Sequence, residues 1–144
     1  MTRADLEYIR ILNDQITGGL LHIAELKSKA YPGAIIYDDS GASKPAPTNK
    51  LEEVFCMIDR EERRVNRLID KRYALRTQAI REIRAVFDDD HIAERHILYL
   101  RYLTSEPLEW SEIIRYVNRY HNIHRSRIYE IHHIAIKKLE RYHI

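Results

Sequence analysis

The side chains best suited to binding a partner form a basic cluster in the last part of the chain, residues 125–141. Arginine and lysine dominate it, and arginine can donate two parallel hydrogen bonds to a guanine edge or a phosphate. Apolar residues three and four apart run through the same segment, which predicts an amphipathic helix with one buried stripe and one charged face. We expect the buried stripe to consist of Ile128, Ile131, Ala135 and Leu139.

The charge along the chain is uneven. Residues 1–90 hold 15 Lys and Arg against 16 Asp and Glu, a net charge of −1. Residues 91–144 hold 9 against 6, a net charge of +3, together with seven of the eight histidines. The C-terminal part is therefore the better candidate for binding a polyanion.

No arrangement typical of an enzyme is recognisable. The chain has no Ser-His-Asp or Cys-His order, no Gly-rich phosphate loop and no pair of carboxylates with a plausible cleft. The run Asp88-Asp-Asp90 is better explained as a helix cap than as a metal site, because aspartate is a preferred capping residue and no second acidic cluster is visible. We expect a protein that is not an enzyme.

The histidines could suggest a zinc site, but their spacing argues against one. His121 and His124 form one pair, and His132 and His133 form another. Zinc needs four ligands, and neighbouring residues of a helix point about 100° apart, so the second pair cannot easily share a metal ion. We expect His132 to be half-buried and His133 to lie at the surface, with no metal and no cofactor.

The single cysteine and the hydropathy indicate the compartment. Cys56 excludes an internal disulfide and fits a reducing cytoplasm. Because it lies among Phe55, Met57 and Ile58, we expect it to be a small core thiol. No apolar run approaches the roughly 20 residues of a membrane span, and no secretory signal opens the chain, so we expect a cytoplasmic protein without a membrane partner.

Two long helices are predicted before the basic segment. Apolar residues at helical spacing predict the first over residues 5–29, where Gly18-Gly19 marks a kink or a close helix contact. Residues 31–50 hold three of the four prolines and two of the four glycines, which predicts a mobile loop. Residues 51–87 contain neither proline nor glycine, and we expect them to form the second helix. The apolar residues of the first helix are Leu6, Ile9, Ile16, Leu20, Ile23 and Leu26.

The apolar stripe of the second long helix is longer than the first helix can cover. The two helices can pack as an antiparallel, coiled-coil-like hairpin, with part of the stripe left over. Either the C-terminal part folds back onto this remainder or a second copy of the chain pairs with it. We favour a homodimer, because such stripes commonly associate, while an intramolecular three-helix core stays open.

Two shorter helices follow, around a polar break. One starts at Trp110, which we expect to close a small core over Ile97 and Leu100. The break at 117–124 contains no glycine, so the helix can extend to about His121, with Asn122 in the left-handed conformation as its cap. Two short helices around a tight turn predict a helix-turn-helix.

This pattern resembles the helix-turn-helix of region 4 of the sigma-70 factors, in the version carried by small phage transcription regulators related to the RinA and ArpU late-gene activators. The resemblance implies an all-α fold, with the hairpin in residues 1–90 as the dimerisation part and the helix-turn-helix in residues 91–144. The matching residues are Ile97-Leu98-Tyr99-Leu100-Arg101-Tyr102, Trp110, Glu112-Ile113, Ile128-Tyr129, Ile131-His132 and Ala135.

The resemblance further implies a sequence-specific regulator of phage or prophage origin that binds double-stranded DNA and activates late genes in the cytoplasm of a bacterial host. It also implies contact with host RNA polymerase. A helical protein-interaction module that binds a partner such as RNA polymerase, without specific DNA readout, is the alternative. Arginines near the start of the last helix would read bases and lysines further along would meet phosphates. The expected DNA-binding residues are Arg125, Ser126, Arg127, Tyr129, Glu130, His133, Lys137 and Lys138.

Overall fold

The structure is a computed structural model that describes residues 1–30 and 48–142. Every element of secondary structure within these ranges is helical, which confirms the all-α prediction for this part of the chain. None of the described helices is both long and apolar enough to cross a membrane. The elements are α1 (Arg3–Ala30), α2 (Thr48–Val86), a 3₁₀ turn (Asp89–His91), α3 (Ile92–Leu98), a π-helical turn (Tyr99–Leu103), α4 (Trp110–His121) and α5 (Arg125–Arg141).

The predicted bounds agree with these elements to within a few residues. The loop predicted for residues 31–50 lies outside the described residues except at its end, where residues 48–50 already belong to α2. The run of three aspartates caps the following turn as predicted, because Oδ1 of Asp88 accepts a hydrogen bond from the backbone N–H of Asp90 at 3.1 Å.

The chain forms two compact units, and both long helices contribute to each of them. One unit comprises Asp14–Ile69, and the other comprises Met1–Asn13 together with Asp70–Ile144. The first part of α1 and the last part of α2 therefore pack with the C-terminal helices. The division into a dimerisation part, residues 1–90, and a DNA-binding part, residues 91–144, stays a prediction.

In the unit Asp14–Ile69, α1 and α2 run antiparallel around a small apolar core. Ile16, Ile23 and Val65 are buried there, and Lys27 forms an ion pair with Glu62 at 3.2 Å. At Gly19 the helices approach so closely that an added Cβ would meet the side chain of Val65. The glycine pair therefore marks a close helix contact, one of the two predicted alternatives.

Two predictions about this unit are wrong. Leu20 was expected on the buried stripe but is 52% exposed, because Gly19, three residues after Ile16, occupies the facing position. Cys56 was expected in the core but is exposed. Ile58 is the buried residue of that segment, and a residue two positions away on a helix points about 200° from it.

In the other unit, the C-terminal helices fold back onto the end of α2. Ala79, Ile83 and Phe87 are buried against residues of α1, of segment 98–103 and of α5. Of the two predicted ways to cover the apolar stripe, this part of α2 uses the intramolecular one. The homodimer stays a prediction. In this unit, however, other helices of the same chain cover the apolar stripe that motivated it. The partners in this core are Met1, Leu6, Ile9, Leu98, Tyr102, Leu103, Ala135, Ile136 and Leu139.

A second core in the same unit joins α3, α4 and α5. It is aliphatic, and the partly buried Leu100 and Trp110 pack at its edge, as predicted for the tryptophan. Because every helix of the trio contributes to it, this core fixes α5 relative to α4. Its buried residues are Ile97, Ile113, Val117, Ile128 and Ile131.

Candidate nucleic-acid interface

Three residues, 122–124, connect α4 to α5. α4 ends at His121 because Asn122 adopts the left-handed conformation, with φ 51° and ψ 43°, and its N–H donates to the carbonyl of Asn118 at 3.0 Å. This confirms the end and the cap predicted from the sequence. His124 then caps the start of α5: its backbone is extended and its Nδ1 accepts a hydrogen bond from the N–H of Ser126 at 3.4 Å.

The two faces of α5 separate apolar from polar side chains. The predicted stripe is buried as expected, and His132 and Ile136 join it. All eight predicted DNA-binding side chains are exposed to solvent. At about 100° per residue, Ser126, Glu130, His133 and Lys137 form the central outward row. Arg127 and Lys138 flank this row on one side, and Arg125 and Tyr129 flank it on the other.

Several of these side chains already have local partners. Arg127 and Glu130 form an ion pair at 2.9 Å, with each side chain more than half exposed. Such a surface pair is weak, on the order of 0–1 kcal/mol, so it opens readily when a stronger partner arrives. The ring of Tyr129 lies 5.0 Å from that of Trp110, and the hydroxyl of Ser126 lies 3.1 Å from Nδ1 of His124.

The remaining four side chains of the predicted interface are free for an incoming ligand. Among the described residues they have no hydrogen-bond or ion-pair partner, and three of them are Arg or Lys side chains. The outward face therefore offers positive charge at both ends and one carboxylate, Glu130, near its middle. The four side chains are Arg125, His133, Lys137 and Lys138.

A buried polar network lies on the opposite side of α5. Nε2 of His132 is 2.9 Å from the hydroxyl of Tyr102, which also donates to Oε1 of Glu7 at 3.3 Å. Burial, together with the nearby cations Arg3 and Arg101, lowers the pKa of His132 to about 4. Burial, with a contribution from Glu7, raises the pKa of Tyr102 to about 12. Both side chains are therefore neutral at neutral pH. His132 is buried more deeply than the half-buried position expected for it, and His133 lies at the surface as predicted.

Arg101 anchors the segment that leads into α4. Its guanidinium carbon lies 4.9 Å from the centre of the Trp110 ring, and its Nη1 donates to the carbonyl of Leu108 at 3.2 Å and to Oε2 of Glu109 at 3.4 Å. Arg10 also pairs with Glu109, at 2.9 Å. Sequence reasoning gave Arg101 no such role. The sequence could have indicated this role, because Arg101 lies in an otherwise apolar run, residues 97–103, and a buried charge needs a partner that compensates it.

Two histidines of different helices meet beside α3. His121 of α4 lies against His96, with its Nε2 2.9 Å from Nδ1 of His96. Desolvation, helped by the charge of His121, lowers the pKa of His96. Within residues 1–30 and 48–142, no three metal-binding side chains cluster together.

Comparison with protein-family models, with curated proteins and with solved structures gave no match. The resemblance to the phage regulators therefore rests on the matching residues of segments 97–102 and 110–135 alone.

Proposed function

We propose that this protein is a DNA-binding transcription regulator of phage or prophage origin that reads double-stranded DNA with α5. The observation that carries the proposal is the orientation of α5: its apolar side is locked into the core, and all eight candidate contact residues face solvent. A helix fixed in this way after a three-residue turn can enter a major groove with its N-terminal half. The proposed role is binding and not catalysis.

Within this proposal, the two ends of α5 have different tasks. Arg125 lies at the first position of the helix, where side chains reach base edges, and its guanidinium can bind guanine through two hydrogen bonds. Lys137 and Lys138 lie about three turns further along and suit phosphates, which contribute affinity but no sequence preference. By resemblance, the regulator activates late genes in its bacterial host and contacts host RNA polymerase.

A homodimer is part of the proposal. Many proteins with this type of motif bind two half-sites about one helical turn of DNA apart. The selected DNA should then be a palindrome, and light scattering at tens of micromolar protein should give twice the mass of one chain. A monomer by light scattering together with a single, non-repeated DNA motif would reject the dimer without rejecting DNA binding.

The test is selection of bound sequences from a random DNA pool by the full chain. One enriched motif is expected, and its recovery should fall for Arg125→Ala but not for Arg67→Ala, an exposed arginine of α2 in the other compact unit. Equal recovery of all sequences would contradict specific readout.

The second candidate is a protein-interaction module that binds a partner such as RNA polymerase without reading bases. The pairing of Arg127 with Glu130 favours it, because a carboxylate in the middle of the outward face repels phosphates. Failure of the DNA selection, together with direct binding of purified RNA polymerase that charge reversal at Glu130 weakens, would support this candidate.

A further inference from the structure

A groove of about 490 Å³ lies between the end of α2 and segment 89–103, and none of its lining residues belongs to α4 or α5. Two helical rows line it. One row comes from α2 and includes Ile80 and Ile83; the other comes from the following segment and includes Ile92 and Tyr99, seven residues apart and thus on one face. The groove is therefore a channel between two neighbouring helices.

The walls of this groove are apolar and open to solvent. Ile92 is 47% exposed and Tyr99 is 43% exposed, although both are large apolar side chains. Covering them would remove apolar surface from water, which is favourable at roughly 25 cal/mol for each Å². The volume lies within the range of roughly 300–1,000 Å³ that is typical of ligand-binding clefts.

The rim of the groove is positively charged. Arg84 and Arg95 both line it, and the one acidic residue of the lining, Asp89, is already paired with Arg95 at 3.3 Å. Arg84 is exposed and has no ion-pair partner among the described residues. An occupant with a carboxylate near Arg84 would therefore gain a charge-assisted hydrogen bond that the free protein lacks.

We propose that this groove binds an amphipathic helix of a partner protein, with apolar residues three and four apart and Asp or Glu beside them. Two helical rows with an apolar floor between them form the type of groove into which such a helix lays its apolar face. The basic rim selects acidic flanks and disfavours basic ones. Because no lining residue belongs to α4 or α5, this site is independent of the proposed DNA-binding face and does not rest on that function.

The test uses a displayed library of random peptides of about 16 residues, roughly four helical turns, selected on the full chain. Enriched peptides should carry apolar residues at helical spacing with acidic neighbours. Their binding, measured by fluorescence anisotropy, should weaken about tenfold or more for Ile92→Asp and for Arg84→Glu. Ile11→Asp is the matched control, because Ile11 of α1 is 50% exposed and does not line the groove.

Three results would overturn the proposal. The first is enrichment of no peptide or of basic peptides. The second is an equal loss of binding for Ile11→Asp. The third is a wild-type dimer that Ile92→Asp dissociates, because the occupant would then be a second copy of the chain. Circular dichroism shows whether each variant is folded; if Ile92→Asp unfolds, Arg84→Glu, an exposed surface change, decides the outcome. DNA binding should be unchanged in every groove variant.

Discussion

Tyr102 and His132 lie against one another in the core, with ring centres 5.8 Å apart and ring planes inclined by 28°. The tyrosine hydroxyl is within hydrogen-bonding distance of Nε2 of the histidine, which is only 7% exposed. An imidazolium would lie here largely out of contact with water and close to the cations Arg3 and Arg101. The native fold therefore favours the neutral form of His132.

This preference predicts a loss of stability in acid. The pKa of His132 is about 4 in the folded chain, against 6.5 as its ordinary value, so the unfolded chain binds a proton first as the pH falls. The stabilisation that comes from keeping His132 neutral is fully present above pH 6.5 and is lost as the pH falls from 6.5 to 4. It amounts to at most about 3 kcal/mol in the free energy of unfolding.

Urea unfolding at several pH values between 7 and 4 measures this effect. His132→Phe, which cannot titrate, should lose less stability over that interval than the wild type. His133→Phe is the control, because it changes the exposed neighbour and should keep the wild-type pH dependence. Parallel curves for the wild type and His132→Phe would contradict the assignment.

The two adjacent glycines of α1 should respond in opposite directions to the same substitution. Nothing lies within 4 Å of a Cβ added at Gly18, so Gly18→Ala should stabilise the helix by about 0.5–1 kcal/mol. At Gly19 the added methyl group meets Val65, so Gly19→Ala should destabilise the protein by about 1–3 kcal/mol. Thermal unfolding of both variants checks the pair; a stabilised Gly19→Ala would show that the contact relaxes at little cost.

The left-handed residue between α4 and α5 gives a second matched pair. Asn122→Gly should leave stability nearly unchanged, because glycine adopts positive φ freely. Asn122→Ala should cost about 1–2 kcal/mol, because alanine lacks the short polar side chain that lets asparagine tolerate the left-handed conformation. Chemical denaturation of the two variants measures the difference, and equal stabilities would show that the turn adopts another conformation in solution.

The two ends of α5 should separate DNA specificity from affinity. Arg125→Ala should cost about 1–3 kcal/mol on the preferred DNA and little on random DNA. Lys137→Ala should weaken both kinds of DNA alike. If about four to six phosphates are neutralised, the log–log salt slope should be about −4 to −5, and Lys137→Ala should reduce it by about one unit. An unchanged ratio of specific to random binding in Arg125→Ala would exclude this docking of α5.

Removing the carboxylate at Glu130 tests the same face from the other direction. Glu130→Gln keeps the side-chain shape, removes a negative charge and releases Arg127 from its ion pair at 2.9 Å. Binding to DNA of any sequence should become tighter and more dependent on salt. Weaker binding to the preferred sequence alone would mean that Glu130 itself accepts a hydrogen bond from a base, as glutamate does from cytosine.

Local features of α5 and its preceding turn could be predicted from the sequence because they depend on short-range geometry. Helical spacing alone decides that Ile128, Ile131 and Ala135 share a face, and positive φ restricts the choice of residue at position 122. The same geometry predicted a half-buried His132 and a surface His133, since neighbours on a helix diverge by about 100°.

What covers each helical face could not be predicted, because that depends on contacts between distant residues. The apolar spacing of α2 did not indicate that Phe87 shares a core with Leu139. It also did not indicate that Cys56 is exposed while the nearby Ile58 is buried. The burial of Arg101 depends on Leu108, Glu109 and Trp110 folding around its guanidinium. Spacing within one element carries no information about such long-range partners.

On α5, the side chains that hold the fold and those that meet solvent are different residues. Substitutions at Arg125, His133, Lys137 or Lys138 remove no core contact, so each should change stability by no more than about 0.5 kcal/mol. The outward chemistry of the helix can thus diverge one residue at a time while the fold persists. The chain has the properties of a scaffold whose exposed α5 surface can be changed, by evolution or by design, without a compensating change in its interior.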